Sequence, residues 1–306
     1  MKNRSCIHIP EVIVSKTILS IVVPVLGILI IAGGCLASQT AAESDMSTPI
    51  QLTNLTGATY PRWSPDSSTI AFQAWINGED RIWTIPSSGG EATQLTSGFG
   101  MHPAWSPDGS TIAYAVMGAT RWSIWTMSAN GGEAVRITST TMSFSHPDWS
   151  PDGSMLAVAG GRGGSSNPDI WLVRLDGSDP LKLTSLPGPQ MDPIWSPDGS
   201  QIAFLSSDFE IMVMSVTGED MNQLASYPEP VGYLSWSPDG SRIAFIRGEW
   251  GNGDLWTYNL EAGTSTRITS GESDDIYPCW SPQGDQIVYS SNRESGEYNL
   301  WIIDVE

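Results

Sequence analysis

The chain has 306 residues and a formal charge of −19, from 33 Asp and Glu against 14 Lys and Arg. Nucleic acid requires a basic surface, so it is excluded as a partner on charge. A hydrophobic content of 40% can fill the core of one large all-β domain, and 31 Gly with 21 Pro call for many turns.

The first segment reads as an address. Lys2, Arg4 and Lys16 precede a run without charge from Thr17 to Ala42, and Glu43 and Asp45 follow it. That asymmetry predicts that everything downstream is translocated. Residues 1–34 are expected to be a signal peptide or a membrane anchor. As a signal, "IIAGGC" resembles a lipobox and makes Cys35 the lipidated residue. As an anchor, Thr17 to Ala37 is long enough for an apolar helix to span a bilayer. Residues 35–49 are small and polar and read as a flexible linker. Cys6 and Cys35 lie in these segments, which leaves Cys279 alone in the body and rules out a disulfide framework there.

Residues 50–306 are written in repeats. A Trp followed by "SPDG" or a near copy occurs at Trp63, Trp105, Trp149, Trp195, Trp236 and Trp280, with separations of 42, 44, 46, 41 and 44. This period fits propeller blades of four short strands rather than a helical solenoid. In each copy a first strand carries the Trp and "SPDG" turns the chain. A second strand follows ("IAF", "IAY", "LAV" or "IVY"). A third carries Trp83, Trp125, Trp171, Met212, Trp256 or Trp301. A fourth ends in "LT", "IT" or, once, "LA". The sixth copy stops after its third strand, and "IQLT" at Ile50 to Thr53 precedes the first. The expectation is an all-β, six-bladed propeller of four-stranded antiparallel blades, its ring closed by an N-terminal strand that completes the last blade.

These copies of P-x-WSPDGS-x-IAF … IW … LT resemble the WD-repeat-like blade of the TolB family over residues 50–306. Copy one has Ser67 for Gly, copy six has Gln283 for Asp, and copy five has Leu234 in place of Pro. The resemblance implies a propeller acting as a binding platform in the cell envelope. With only a short linker before the first strand, the α/β domain that precedes the propeller in TolB is not expected.

Strands that run up and down put the fourth-to-first and second-to-third loops on one face and the "SPDG" turns on the other. The residue three before each motif Trp is then expected to ring the channel mouth on the loop face: Tyr60, His102, His146, Asp192, Tyr233 and Tyr277. His102, His146 and Asp192 are candidate ligands for a divalent metal, and a tyrosine-rich mouth also suits a peptide or sugar. Trp75, Trp122 and Trp250 are off-pattern and are placed in second-to-third loops, where they are candidate ligand-binding residues. "GGRGGSSN" from Gly160 joins two strands, opens no helix, and reads as a loop rather than a phosphate cradle. "SDD" at 273–275 and "DGSD" at 176–179 read as solvated acidic turns. No serine sits in a recognisable nucleophile setting. The leading expectation is a non-enzymatic, membrane-tethered extracytoplasmic platform with a monomeric body, binding a protein or peptide partner. The alternative is a metal-assisted carbohydrate-active enzyme, lyase-like, at the channel mouth.

Overall fold

The computed structural model describes residues 48–305 apart from 140, 163–166 and 208. The expected signal or anchor, Cys35 and all of the linker except residues 48 and 49 lie outside the described residues. Six four-stranded antiparallel sheets follow one another along the chain. Their innermost strands are Thr59–Trp63, Met101–Trp105, Met142–Trp149, Met191–Trp195, Val231–Trp236 and Asp275–Trp280, which define blades I to VI. A hydrophobic cluster fills each of the six junctions between neighbouring blades.

Both repeat positions feed the same junction. Trp105 and Trp125 of blade II pack against blade I, and Trp236 and Trp256 of blade V pack against blade IV. Burying one such ring contributes on the order of 4–6 kcal/mol gross. The indole nitrogens of Trp105 and Trp149 also donate across junctions, to the carbonyls of Arg62 (3.0 Å) and Ala104 (3.1 Å).

Each blade's outermost strand is short, and in five of the six a threonine anchors it. The hydroxyls of Thr96, Thr138, Thr184 and Thr269 accept hydrogen bonds from the third-strand amides of Ile82, Ile124, Ile170 and Leu255. This is why the repeat ends in "LT" or "IT". Blade IV has Ala225 at this position, and its fourth strand, Asn222–Ser226, is longer and pairs through a register shift.

Blade VI takes its fourth strand from the front of the chain. Ile50 pairs with Ile302 and Gln51 with Trp301, antiparallel. Thr53 repeats the anchor: its hydroxyl accepts from the Leu300 amide (2.9 Å) and donates to Asn299 Oδ1 (3.1 Å). Ring closure therefore leaves no sheet edge open between blades VI and I. The strand runs from the turn face to the loop face, so the chain enters it from the turn side.

The turns are built alike. In the first, Ser64 Oγ donates to Asp66 Oδ1 (2.6 Å), the Ser68 amide donates to the same oxygen, and Ser64 Oγ accepts from the Thr69 amide. These bonds, led by the serine hydroxyl, hold the Asp66, Asp152 and Asp239 carboxyls down at about 2. The last turn residue is left-handed in all six copies, from φ +69° at Gly109 to +76° at Gly284, and +63° at Ser67. The two departures from the turn motif meet: Ser67 Oγ donates to Gln283 Oε1 across the closure (2.5 Å).

Three expectations are corrected. Gly160 to Arg162 continue the strand Met155–Arg162 rather than opening a loop. A Cβ on Gly160 would lie 2.0 Å from the Ser143 carbonyl oxygen, so only glycine allows the strands to approach there. Asp274 and Asp275 are buried rather than solvated. Asp275 accepts from Ser291 and Arg293, and Asp274 accepts from the Gly253 amide and Tyr298, so the pair locks the loops of blades V and VI. Trp75 and Trp122 belong to strand ends, Thr69–Ile76 and Trp122–Ser128; Trp250 alone lies in a loop.

Two outcomes follow for chemical denaturation. Thr53→Val leaves the Leu300 amide without its acceptor in a buried setting, so it is expected to lower stability by about 1–3 kcal/mol. Ser67→Gly relieves a left-handed non-glycine residue, and is expected to raise stability by up to about 1 kcal/mol despite losing an exposed hydrogen bond.

Candidate functional site

The site begins with a proline. Pro61, Pro103, Pro147, Pro193 and Pro278 stand two residues before five of the motif tryptophans, and Leu234 stands there in blade V. Proline has no amide to give to a ladder, and in every blade the ladder skips at this point. Thr59 pairs with Gln73 and Arg62 with Ala71, so Tyr60 and Pro61 together face one residue. The same two-against-one bulge recurs in the other five innermost strands.

The bulge turns the preceding residue left-handed. Tyr60, His102, His146, Asp192, Tyr233 and Tyr277 have φ between +50° and +58°. Histidine and aspartate accept this conformation more readily than tyrosine does. All six expected ring residues are therefore brought together, one from each blade. They do not leave an open mouth. Tyr60 stacks on Tyr277 at 3.8 Å, Tyr233 lies 4.1 Å from Tyr277, and His102 stacks on His146 at 3.9 Å and 21°. Tyr60 joins the two halves, 4.4 Å from His102. The side chains plug the channel at the loop face.

Polar bonds fix the plug. His146 Nε2 lies 3.2 Å from the Tyr60 hydroxyl and 3.4 Å from Asp192 Oδ1. Aspartate Oδ1 serves here as an acceptor, which assigns the imidazole proton to Nε2 and leaves Nδ1 to accept from Ser145 Oγ at 2.9 Å. The Asp192 carboxylate also takes the Tyr233 amide, and Gln73 Oε1 takes the His102 amide. Burial pushes His102 well below the ordinary imidazole range, aided by His146 and Arg62. It also lowers His146, against the pull of Asp192. Burial raises the phenols of Tyr60, Tyr233 and Tyr277. At neutral pH the ring thus presents neutral imidazoles and phenols.

His102, His146 and Asp192 share the ring but not a ligand geometry. The imidazoles lie face to face, and His146 Nε2 is engaged by Tyr60 and Asp192. Among the described residues, no group of three or more His, Cys, Asp or Glu is arranged to hold a metal ion. Of the three off-pattern tryptophans, Trp122 stacks over His102 at 6.0 Å. Trp75 and Trp250 are 51% and 73% exposed and stand apart from the ring.

A second layer lies below, on the residues just before each motif Trp: Arg62, Ala104, Asp148, Ile194, Ser235 and Cys279. Their shared phase in the repeat is the signal that could have found them. Arg62 and Asp148 border a cavity of about 20 Å³ beneath the plug, room for about one water. Asp148 Oδ2 accepts from the Trp195 amide of blade IV (2.8 Å), as Ser235 Oγ does from Trp280 of blade VI (3.1 Å). Burial raises the Asp148 carboxyl to about 6, against the Trp195 amide and Arg62. It also raises the free thiol of Cys279.

The raised Asp148 carboxyl means the folded state binds the proton more tightly than the unfolded chain. Stability is therefore lost as pH climbs from about 4 to about 6 and stays reduced above that. Asp148→Asn keeps an acceptor for Trp195. It is expected to be more stable than the native protein by about 1–2 kcal/mol at pH 7.5, with the gain vanishing below about pH 4, read from urea midpoints across pH.

The TolB beta propeller domain family matches residues 99–209 and 175–306, more than half of the chain. No curated protein matches the chain. Among solved structures, a putative TolB from Agrobacterium tumefaciens superposes with a TM-score of 0.64 at 18% identity, covering 82% of this chain and 91% of that one. TolB from Acinetobacter baumannii gives 0.61 at 20% identity, over 82% of this chain and 64% of that one. An oligogalacturonate lyase in complex with manganese gives 0.59 at 15% identity, over 84% and 93%. At such identities these likenesses establish the fold alone. Fold, blade motif and family match agree, and the chain belongs to the TolB beta propeller domain family.

Proposed function

We propose that this chain is a non-enzymatic binding platform that engages a protein or peptide through its loop face. The supporting observation is where large apolar side chains are exposed. Trp75, Met117, Phe209 and Trp250 are 51%, 43%, 37% and 73% exposed, and all four lie at second-to-third connections on that face. Single apolar residues are ordinary on a protein surface, but these four share one phase of the repeat and one face. The remaining exposed large apolar residues belong to other places: Ile50, Val135 and Leu181 to outer strands, Leu175 to a turn.

The plug supports the same reading, since its packed rings fill the channel mouth rather than framing a reaction chamber. The carbohydrate-active alternative draws on His102, His146 and Asp192 as a metal set, and their stacked arrangement does not favour it. Extracytoplasmic location, with tethering through residues 1–34 or through lipidated Cys35, belongs to this proposal. It is supported by the charge asymmetry around the apolar run.

Photo-crosslinking residues placed at 75, 117 and 250 test the proposal in the membrane fraction of the native cell. The expected outcome is a discrete protein adduct from these positions and none from 133 and 220 on the turn face. Adducts from the turn face alone, or from neither face, would overturn it.

A further inference from the structure

A groove of about 610 Å³ runs along the junction of blades II and III. Its volume lies in the range of ligand sites, roughly 300–1,000 Å³. Ile137, Met142, Val173 and Trp171 supply its apolar wall, and Arg121 and Arg162 stand at its loop-face end. Asp179 is the one acidic residue in its lining, and belongs to the turn at the opposite end.

Those arginines are conspicuous in a chain of net charge −19. Elsewhere the loop face is acidic: Glu79, Glu249, Glu272, Glu294 and Glu297 are all exposed on blades V, VI and I. Around the groove the loop residues 96–101, 118–121, 138–139, 141–142 and 184–191 contain no Asp or Glu. The loop face is therefore polarised, and its basic sector coincides with a cleft that has an apolar wall. An anionic saccharide could use the arginines and the hydroxyls of Thr138, Ser139, Thr141 and Ser178, but would leave the aliphatic wall of Ile137, Met142 and Val173 without an apolar partner. A peptide satisfies both, with carboxylates toward the basic end at Arg162 and an apolar side chain below.

We infer that the groove between blades II and III takes an acidic peptide segment bearing an apolar anchor, with Arg162 receiving a carboxylate and Arg121 adding positive charge at the same end. This rests on the binding-platform reading and specifies the place and the partner's charge. Arg162 is exposed at the end of its strand and Thr141 is exposed on the groove wall, so both can be changed without disturbing the core.

The test is fluorescence anisotropy on the full chain in detergent. The probes are short dye-labelled peptides that share a central Leu and differ in carrying Glu, Gln or Lys around it. The Glu peptide is expected to bind at least about tenfold tighter than the Gln peptide. Arg162→Glu and, independently, Thr141→Trp should each weaken it about tenfold, while Asp220→Asn on the turn face of blade IV should leave it unchanged. Equal binding of the Gln or Lys peptide overturns the inference, as does displacement of the Glu peptide by an oligouronate. Binding that ignores Arg162→Glu and Thr141→Trp but is lost with Trp75→Ala and Trp250→Ala removes the groove and leaves the platform standing. If none of the peptides binds, the inference falls, and the crosslinking result then decides the platform by itself.

Discussion

A missing amide organises the centre of this molecule. Proline cannot donate to the strand beside it, so in five blades the innermost strand bulges two residues before its tryptophan, and the residue ahead of the proline is turned left-handed toward the axis. Each such residue carries a conformational cost of about 1 kcal/mol. The surrounding sheets hold it in place because the tryptophan below is wedged into a blade junction. Blade V, with Leu234, adopts the same bulge without the proline. The ring of six has become the ground state of the architecture, and the proline reinforces it.

Two other constraints keep that ring in register. Tryptophans at both repeat positions fill the junctions, so neighbouring blades cannot slide without opening a cavity. A threonine hydroxyl stitches the outer strand to the third strand in blades I, II, III and V, and Thr53 does the same for blade VI from the other end of the body. The closing strand is thus specified by the rule that specifies ordinary fourth strands. Where the turn motif departs from pattern, at Ser67 and Gln283, the departures face each other across the closure.

Much of this was legible in the sequence because a blade is a local object. The Trp spacing gave six blades, the surplus "IQLT" gave the closure, and the position three before each Trp gave the ring members. What escaped were properties that depend on neighbours in space. That the ring is a plug depends on Tyr60 reaching both Tyr277 and His102, and side-chain reach across an axis has no sequence period. Ser145 gained its bond to His146 from the bulge. Asp274 and Asp275 looked like a solvated turn because their partners, Tyr298, Ser291, Arg293 and the Gly253 amide, lie on other loops. Gly160 and Gly161 looked like a loop because close strand approach and flexibility both select glycine.

The proposed function draws on what the plug fills and what the loops display. On that reading, a channel stoppered by stacked neutral rings leaves the exposed aromatic residues and the cleft between blades II and III as the surfaces offered to a partner. The most direct test of the plug is long-range proton–nitrogen NMR of the imidazoles across pH, which is tractable because the chain has only three histidines. The packed ring predicts that His102 remains neutral well below pH 6.5 and that His146 titrates below its ordinary range, with its neutral form protonated on Nε2. Two imidazoles that titrate near 6.5 with mixed tautomers, as solvated side chains do, would contradict it.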